Sequence, residues 1–449
     1  MGKIEHGWFY TAPLERFGER RGDPLGFRLI ADDIADALVP GLSNGTQDGR
    51  WLTIVCWILR LVQPNVRNCG TSKVDREEAY KWVRPGELLW VAAALTHDSG
   101  RNKSNRWLPQ KTAVKRWIDT EQRLEQPFGL SADAWNRYRF AGPYGTWRTF
   151  LRQSGITLPD GFVLADGLGH SLADILDNIM AKKKVIPTIP FEKASQGIPE
   201  KSWVQRFANW KELPVEVLPT DRKNPSKLPE AKLLEAILFD KENTDKKSGI
   251  RRKVLEEIKK PAMIKLAHPD LAGHLCDRCT NIPHVAKFTR FCDAGIDAIT
   301  TLINAANVVH QPDHTTAYKD VVLNVDVVKA MKAFGKEARQ WMNLKETDDR
   351  RYACVRDLAN SVCTAGSDST TIARTLIDHH THYHQGRHWL QSAGKEHFRL
   401  IEAGDSGRPS GYTYRLWTLC RLGVQAGLLK KDQIPSSMGA PVPEDDDEE

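Results

Sequence analysis

The chain has 449 residues, of which 41% are hydrophobic and 27% charged, with a formal charge of +7 at pH 7 and eight cysteines. Such a length suits about two large or three ordinary domains, and the composition is that of a globular protein. Eight scattered cysteines in so long a chain do not make a disulfide framework.

The most apolar run, WLTIVCWILRLV (51–62), is interrupted at Arg60 and followed by Pro64, so it reads as a buried helix rather than a span. The opening MGKIEHGWFY has neither the apolar centre nor the small-residue cleavage site of a signal peptide. The expectation is a cytosolic protein with no membrane partner. The last six residues, EDDDEE, are all acidic, so the +7 of the whole chain becomes +13 over residues 1–443. A body that basic suits a polyanionic partner. Residues 436–449 are expected to form a disordered acidic tail, because a run of like charges repels itself. The fourteen tryptophans are expected to fill helix–helix interfaces as large rigid anchors.

In chain order, LGFRLIADDIADALV (25–39) places Leu25, Leu29, Ala35 and Leu38 near helical spacing, and Pro40-Gly41 ends the pattern. SNGTQDG (43–49) then reads as a polar tip leading into a second helix from Trp51. The free backbone N–H groups there could hold a phosphate, or Thr46 or Asp48 could cap the helix; capping is the favoured account. Helical patterns recur at 86–97, 110–126, 131–140 and 146–156, and again at 230–239, 249–259, 323–343 and 350–363, with short strands expected near 161–164 and 321–325. Prolines at 187, 190, 199, 214, 219, 225 and 229 mark an irregular connector. The expected fold is therefore mainly α, with few short strands and two helical bodies. Residues 1–186 form an N-terminal body, 187–229 the proline-rich connector, and 230–435 a C-terminal body.

Two clusters carry metal-ligand residue types. HPDLAGHLCDRCTNIPHVAKFTRFC (268–292) sets Cys276 and Cys279 at the spacing of a zinc knuckle, with Cys292 following and His284, His268 or His274 available as a fourth ligand. No second C-x2-C completes it. The rival account puts Cys292 on a stripe with Phe288, Ile296 and Ile299, where a thiol acts as a small hydrophobe. No cofactor is expected; a structural zinc is the alternative. In DHHTHYHQGRHW (378–389), His380, His384 and His388 recur every four residues, and Arg374, Arg387, Lys395 and Arg399 lie close in sequence. With Arg408 and Arg415 they are the candidate nucleic-acid contacts: Arg374, His384, Arg387, His388, Lys395, Arg399, Arg408 and Arg415. The final helix, YRLWTLCRLGVQAGL, turns Leu416, Leu419 and Leu422 inward and leaves Arg421 for a basic groove.

His97-Asp98 resembles the dyad of metal-dependent phosphohydrolases, but the only earlier histidine is His6. Phosphate-binding G-x-x-x-x-G-K-[ST], dinucleotide G-x-G-x-x-G and hydrolase G-x-S-x-G patterns do not occur.

GFRLIADDIADALVPGLSNGTQDGRWLTIVCWILR (26–60), AGPYGTWRTFLRQSGI (141–156), HVAKFTRFCDAGIDAITTLINAA (284–306) and the closing arginine-rich helix resemble, in order, blocks of an uncharacterised bacterial family of unknown function. Its members are often encoded beside helicases, restriction enzymes and other phage-defence proteins. The resemblance implies a non-enzymatic subunit that binds nucleic acid, DNA above all, or a partner such as a helicase or nuclease. It carries over no catalytic residue. The competing expectations are a metal-dependent nuclease or phosphohydrolase, and a scaffold whose charge serves only solubility.

Overall fold

The computed structural model describes residues 23, 25–66, 73–98, 106–120, 128, 130, 142–183, 213–221, 224–240, 246–280, 282–309, 315–342, 353–383, 390–400 and 412–438. Among them the chain is mainly α, with one small sheet. The helices are α1 (Arg28–Leu38), α2 (Gly49–Val66), α3 (Lys73–His97), α4 (Lys111–Asp119), α5 (Pro143–Gln153), α6 (Leu168–Lys182), α7 (Ala231–Phe239) and α8 (Lys246–Ile258). There follow α9 (His268–Cys279), α10 (Val285–Val309), β1 (Thr315–Ala317), α11 (Tyr318–Val321), α12 (Val325–Met342), α13 (Ala353–Thr364) and α14 (Ser369–Tyr383). β2 (Leu390–Ser392), β3 (His397–Leu400) and α15 (Leu416–Gln425) complete the set. No helix among the described residues is long and apolar enough to cross a membrane.

The chain divides into two compact units that are discontinuous in sequence: residues 1–37 with 267–414, and residues 38–266 with 415–449. The expected division placed an N-terminal body at 1–186 and a C-terminal body at 230–435. Residues 230–266 and the chain's final helix pack with residues 38–183, because α7 and α8 provide the apolar surface that covers α15. The described part of the proline-rich connector is no spacer. Leu213, Val217 and Leu218 are buried in the second unit, while residues 187–212 lie outside the described residues. Of the acidic tail, Ser436–Met438 form a 3-10 turn with Met438 buried, and 439–449 lie outside the described residues.

In the first unit α10 packs against α9 and α12, and α12 against α13 and α14. α10 buries Phe288, Phe291, Cys292, Ile296, Ile299 and Leu302, a stripe at helical spacing that turns one side of a long helix into core. Phe291 stacks on Phe334 and on Trp341 of α12, with ring centroids 5.3 and 5.2 Å apart and planes within 6° and 9° of parallel. α1 buries Ile30, Ala31, Ile34 and Ala35, whereas Leu29, expected to face inward, is 49% exposed. The carboxylate of Asp23 closes its start, accepting the N–H groups of Phe27 (2.9 Å) and Arg28 (3.1 Å) and the hydroxyl of Tyr412 (2.9 Å). The sheet runs β1-β3-β2, both pairs antiparallel. The strands expected at 161–164 and 321–325 are absent: Leu164 makes one isolated bridge with Thr157, and 321–325 joins the end of α11 to the start of α12.

In the second unit α2 packs on α3 and α6. Trp51, Trp57, Trp90, Trp117 and Trp147 are all within 1% of fully buried, the anchoring role expected of them. α2 continues through Arg60, whose guanidinium pairs with Asp174 and Asp177 of α6.

Candidate nucleic-acid interface

The polar stretch before α2 is where a phosphate could have been held, and the structure fills it from within. Asp48 is 2% exposed, and its Oδ1 accepts the N–H of Arg50 at 3.0 Å, a helix N-cap bond. The side-chain oxygen of Gln425 takes the Gly49 N–H at 2.8 Å, while its amide nitrogen donates to Asp48 Oδ1 and to Thr220 Oγ1, each at 2.9 Å. The backbone N–H of Thr220 reaches Asp48 Oδ2 at 2.8 Å, and Arg421 donates to Thr220 Oγ1 at 2.7 Å. A Cβ on Gly49 would meet Gln425 Oε1 at 3.2 Å and Leu234 Cδ1 at 2.9 Å, so a larger residue there would have to displace the ends of both side chains.

In the first turn of α2, Arg50 forms an ion pair with Glu230 at 2.9 Å with both side chains fully buried, and Thr53 donates to Glu230 at 2.9 Å. Burial pushes the Arg50 guanidinium down, against the pull of Glu230, and pushes the Glu230 carboxyl up, against Arg50. The expected basic groove therefore loses Arg421: with no exposed surface, it bonds Thr220 and lies 3.8 Å from Asp48 at the start of α2.

His97-Asp98 is likewise committed. Asp98 is 5% exposed and pairs with Arg106 Nε at 3.0 Å, while Arg106 also donates to the Pro219 carbonyl.

The cysteines of the 268–292 cluster sit in the first unit. Cys276 and Cys292 are fully buried, and burial pushes the Cys276 thiol up to about 12 and the Cys292 thiol well above its usual value. Cys279 is half-buried. His284, at φ 61°, is exposed at the turn before α10. Among the described residues no group of three or more His, Cys, Asp or Glu side chains is placed to hold a metal.

Of the eight candidate nucleic-acid contacts, His384, Arg387, His388 and Arg408 lie outside the described residues. His380, expected to share a helical face with His384 and His388, is fully buried. Arg415 belongs to the second unit, where it bonds the Leu42 carbonyl at 2.9 Å. The other three meet around the sheet of the first unit. β3 alternates exposed and buried: Phe398 and Leu400 face the core, His397 and Arg399 face out. Arg399 lies directly across from Thr315 of β1 and Gln391 of β2, so a guanidinium, a hydroxyl and an amide form one row. Lys395 is exposed in the β2–β3 turn. Its acidic neighbour Glu396 is drawn to Arg374 of α14 at 3.6 Å, and Arg374 also covers the Tyr318 ring at 5.5 Å.

The cations of α12 had no assigned role in the sequence, although their spacing was legible: Lys329, Lys332, Lys336 and Arg339 are all exposed. No protein family, curated protein or solved structure matches the chain.

Proposed function

We propose that the protein binds nucleic acid through its phosphate backbone and serves, without chemistry of its own, as a subunit of a bacterial antiphage system. The observation that carries the binding part is the outward row of the sheet. Arg399, flanked by Thr315 and Gln391, stands with His397 and Lys395 on a face beside Glu396, a carboxylate that Arg374 engages. Guanidinium, ammonium, hydroxyl and amide groups are the donors that phosphate oxygens accept, and such contacts position a duplex without reading its sequence. The defence role rests on the family resemblance of the four blocks and on nothing else.

Titration of the full chain with a fluorescein-labelled duplex at 50 and 200 mM salt tests the reading. Affinity is expected to fall steeply with salt, log K dropping by about 0.9 per phosphate neutralised for each unit of log salt. Two duplexes of unrelated sequence should bind alike, and Lys395→Gln with Arg399→Gln should shallow the slope by about 2. A chain that fails to bind, or binds with no salt dependence, refutes the reading.

A further inference from the structure

We propose that α12 carries a second phosphate-backbone contact, a track formed by Lys329, Lys332, Lys336 and Arg339. It rests on the nucleic-acid reading above and extends it to a surface that contains none of the eight candidate residues. Steps of three, four and three residues place the four cations within about 80° of arc on a helix of 3.6 residues per turn. They span about 15 Å of helix axis, the rise of about four phosphates along one strand of a duplex.

Packing determines which way this stripe points. α12 buries Val327, Ala330, Met331, Phe334, Gly335, Ala338 and Trp341. Phe334 and Trp341 are clamped flat against Phe291, and a Cβ on Gly335 would stand 3.1 Å from Ile372 Cδ1, so α14 lies close on that side. A helix held by two stacked aromatics and a close-packed glycine cannot roll, and the cations are fixed outward.

The stripe is also little compensated among the described residues. Among the described residues Lys329 and Lys332 form no ion pair; Lys336 has only its chain neighbour Glu337, at 3.9 Å, and Arg339 bonds a neutral carbonyl, that of Gly366, at 3.1 Å. Some other exposed basic groups do lie on carboxylates, as Arg290 on Asp270, Lys260 on Glu257 and Lys115 on Asp119. The other exposed positions of α12 are Val325, Asp326, Ala333 and Gln340. Val325 is the one sizeable apolar side chain exposed on the helix, too little for an interfacial membrane helix to bury in lipid, and the face fits a hydrated polyanion.

The test uses the full chain and four variants. Neutralising the track (K329Q/K332Q/K336Q/R339Q) should weaken duplex binding at least about tenfold at 100 mM salt and shallow the salt slope by about 3 to 4. K329R/K332R/K336R, which keeps the charge, should bind as the wild type does. A control with the same loss of charge on the second unit, K232Q/K253Q/K265Q/K430Q, should change the slope by less than about 1. The sheet variant K395Q/R399Q separates the two proposals. If it weakens binding and the α12 variant does not, the track is wrong while the nucleic-acid reading stands. If the wild-type chain ignores DNA, both fall. A control variant as damaging as the track variant overturns the track in favour of overall charge. Track-dependent sedimentation with phosphatidylserine vesicles, without DNA binding, would overturn it in favour of a membrane surface.

Discussion

Arg50 and Arg421 in one unit, and Lys329 and Lys332 in the other, are similar in charge and opposite in circumstance. The two arginines have no exposed surface and bond to Glu230 and Thr220. The two lysines are exposed and have no carboxylate partner among the described residues. A buried cation that loses its partner leaves a charge in a medium that cannot solvate it. An exposed one that loses its charge leaves only water. In the second unit basic residues hold the chain's end to its middle; on α12 they are available to a ligand.

The sharpest way to break this contrast is Glu230→Ala, which strands the Arg50 guanidinium. It should lower stability by about 3 to 5 kcal/mol, seen as a lower denaturation midpoint of the second unit; a loss below about 1 kcal/mol would mean that water reaches the pair. Next in size is Asp48→Ala, which removes the α2 cap and an acceptor for Gln425 and Thr220. A cost of about 2 to 3 kcal/mol is expected from a lost cap and newly unsatisfied buried donors, measured by thermal unfolding.

A third prediction concerns pH. Glu87 is 1% exposed and accepts the Tyr144 N–H; burial raises its carboxyl from 4.5 to about 8, opposed by that bond and by Arg84. Between those values the unfolded chain has lost the proton and the folded chain keeps it, so stability from this group falls as pH rises from about 4.5 to about 8. Glu87→Gln should remove that part of the slope and gain stability over the wild type at pH 8 relative to pH 5, by denaturant titration at both. The smallest effect belongs to Lys329→Gln with Lys332→Gln, which should move stability by less than about 0.5 kcal/mol while weakening DNA binding.

Several features were legible because they depend on local spacing. Leu416, Leu419 and Leu422 repeat at helical intervals, and all three are fully buried; the buried phenylalanines and isoleucines of α10 follow the stripe read from Phe288 onward. Leu29 was misread because a short amphipathic pattern tolerates a rotated register, and Ile30 with Ile34 supplies the better face. The loop 43–49 looked solvent-facing because Thr46, Gln47 and Asp48 are polar, yet all three are buried. Thr46 bonds Ser43 nearby, but the partners of Asp48 (Thr220 and Gln425) lie about 170 and 380 residues away, and no periodicity reports a partner at that distance.

The sequence by itself therefore determined what depends on neighbours three or four residues apart: a mainly α chain, which faces of its longer helices are apolar, where the turns fall, and a basic body with an acidic end. Tertiary structure decided what depends on pairs far apart in sequence. It set the discontinuous division of the chain, the burial of Arg50 on Glu230, of Arg421 on Thr220 and of Asp48 on Gln425, and the outward direction of Arg399 and the α12 lysines. The reason is energetic: a charged side chain can be buried only where a complementary group meets it, and which group meets it is a property of the fold, not of the local sequence.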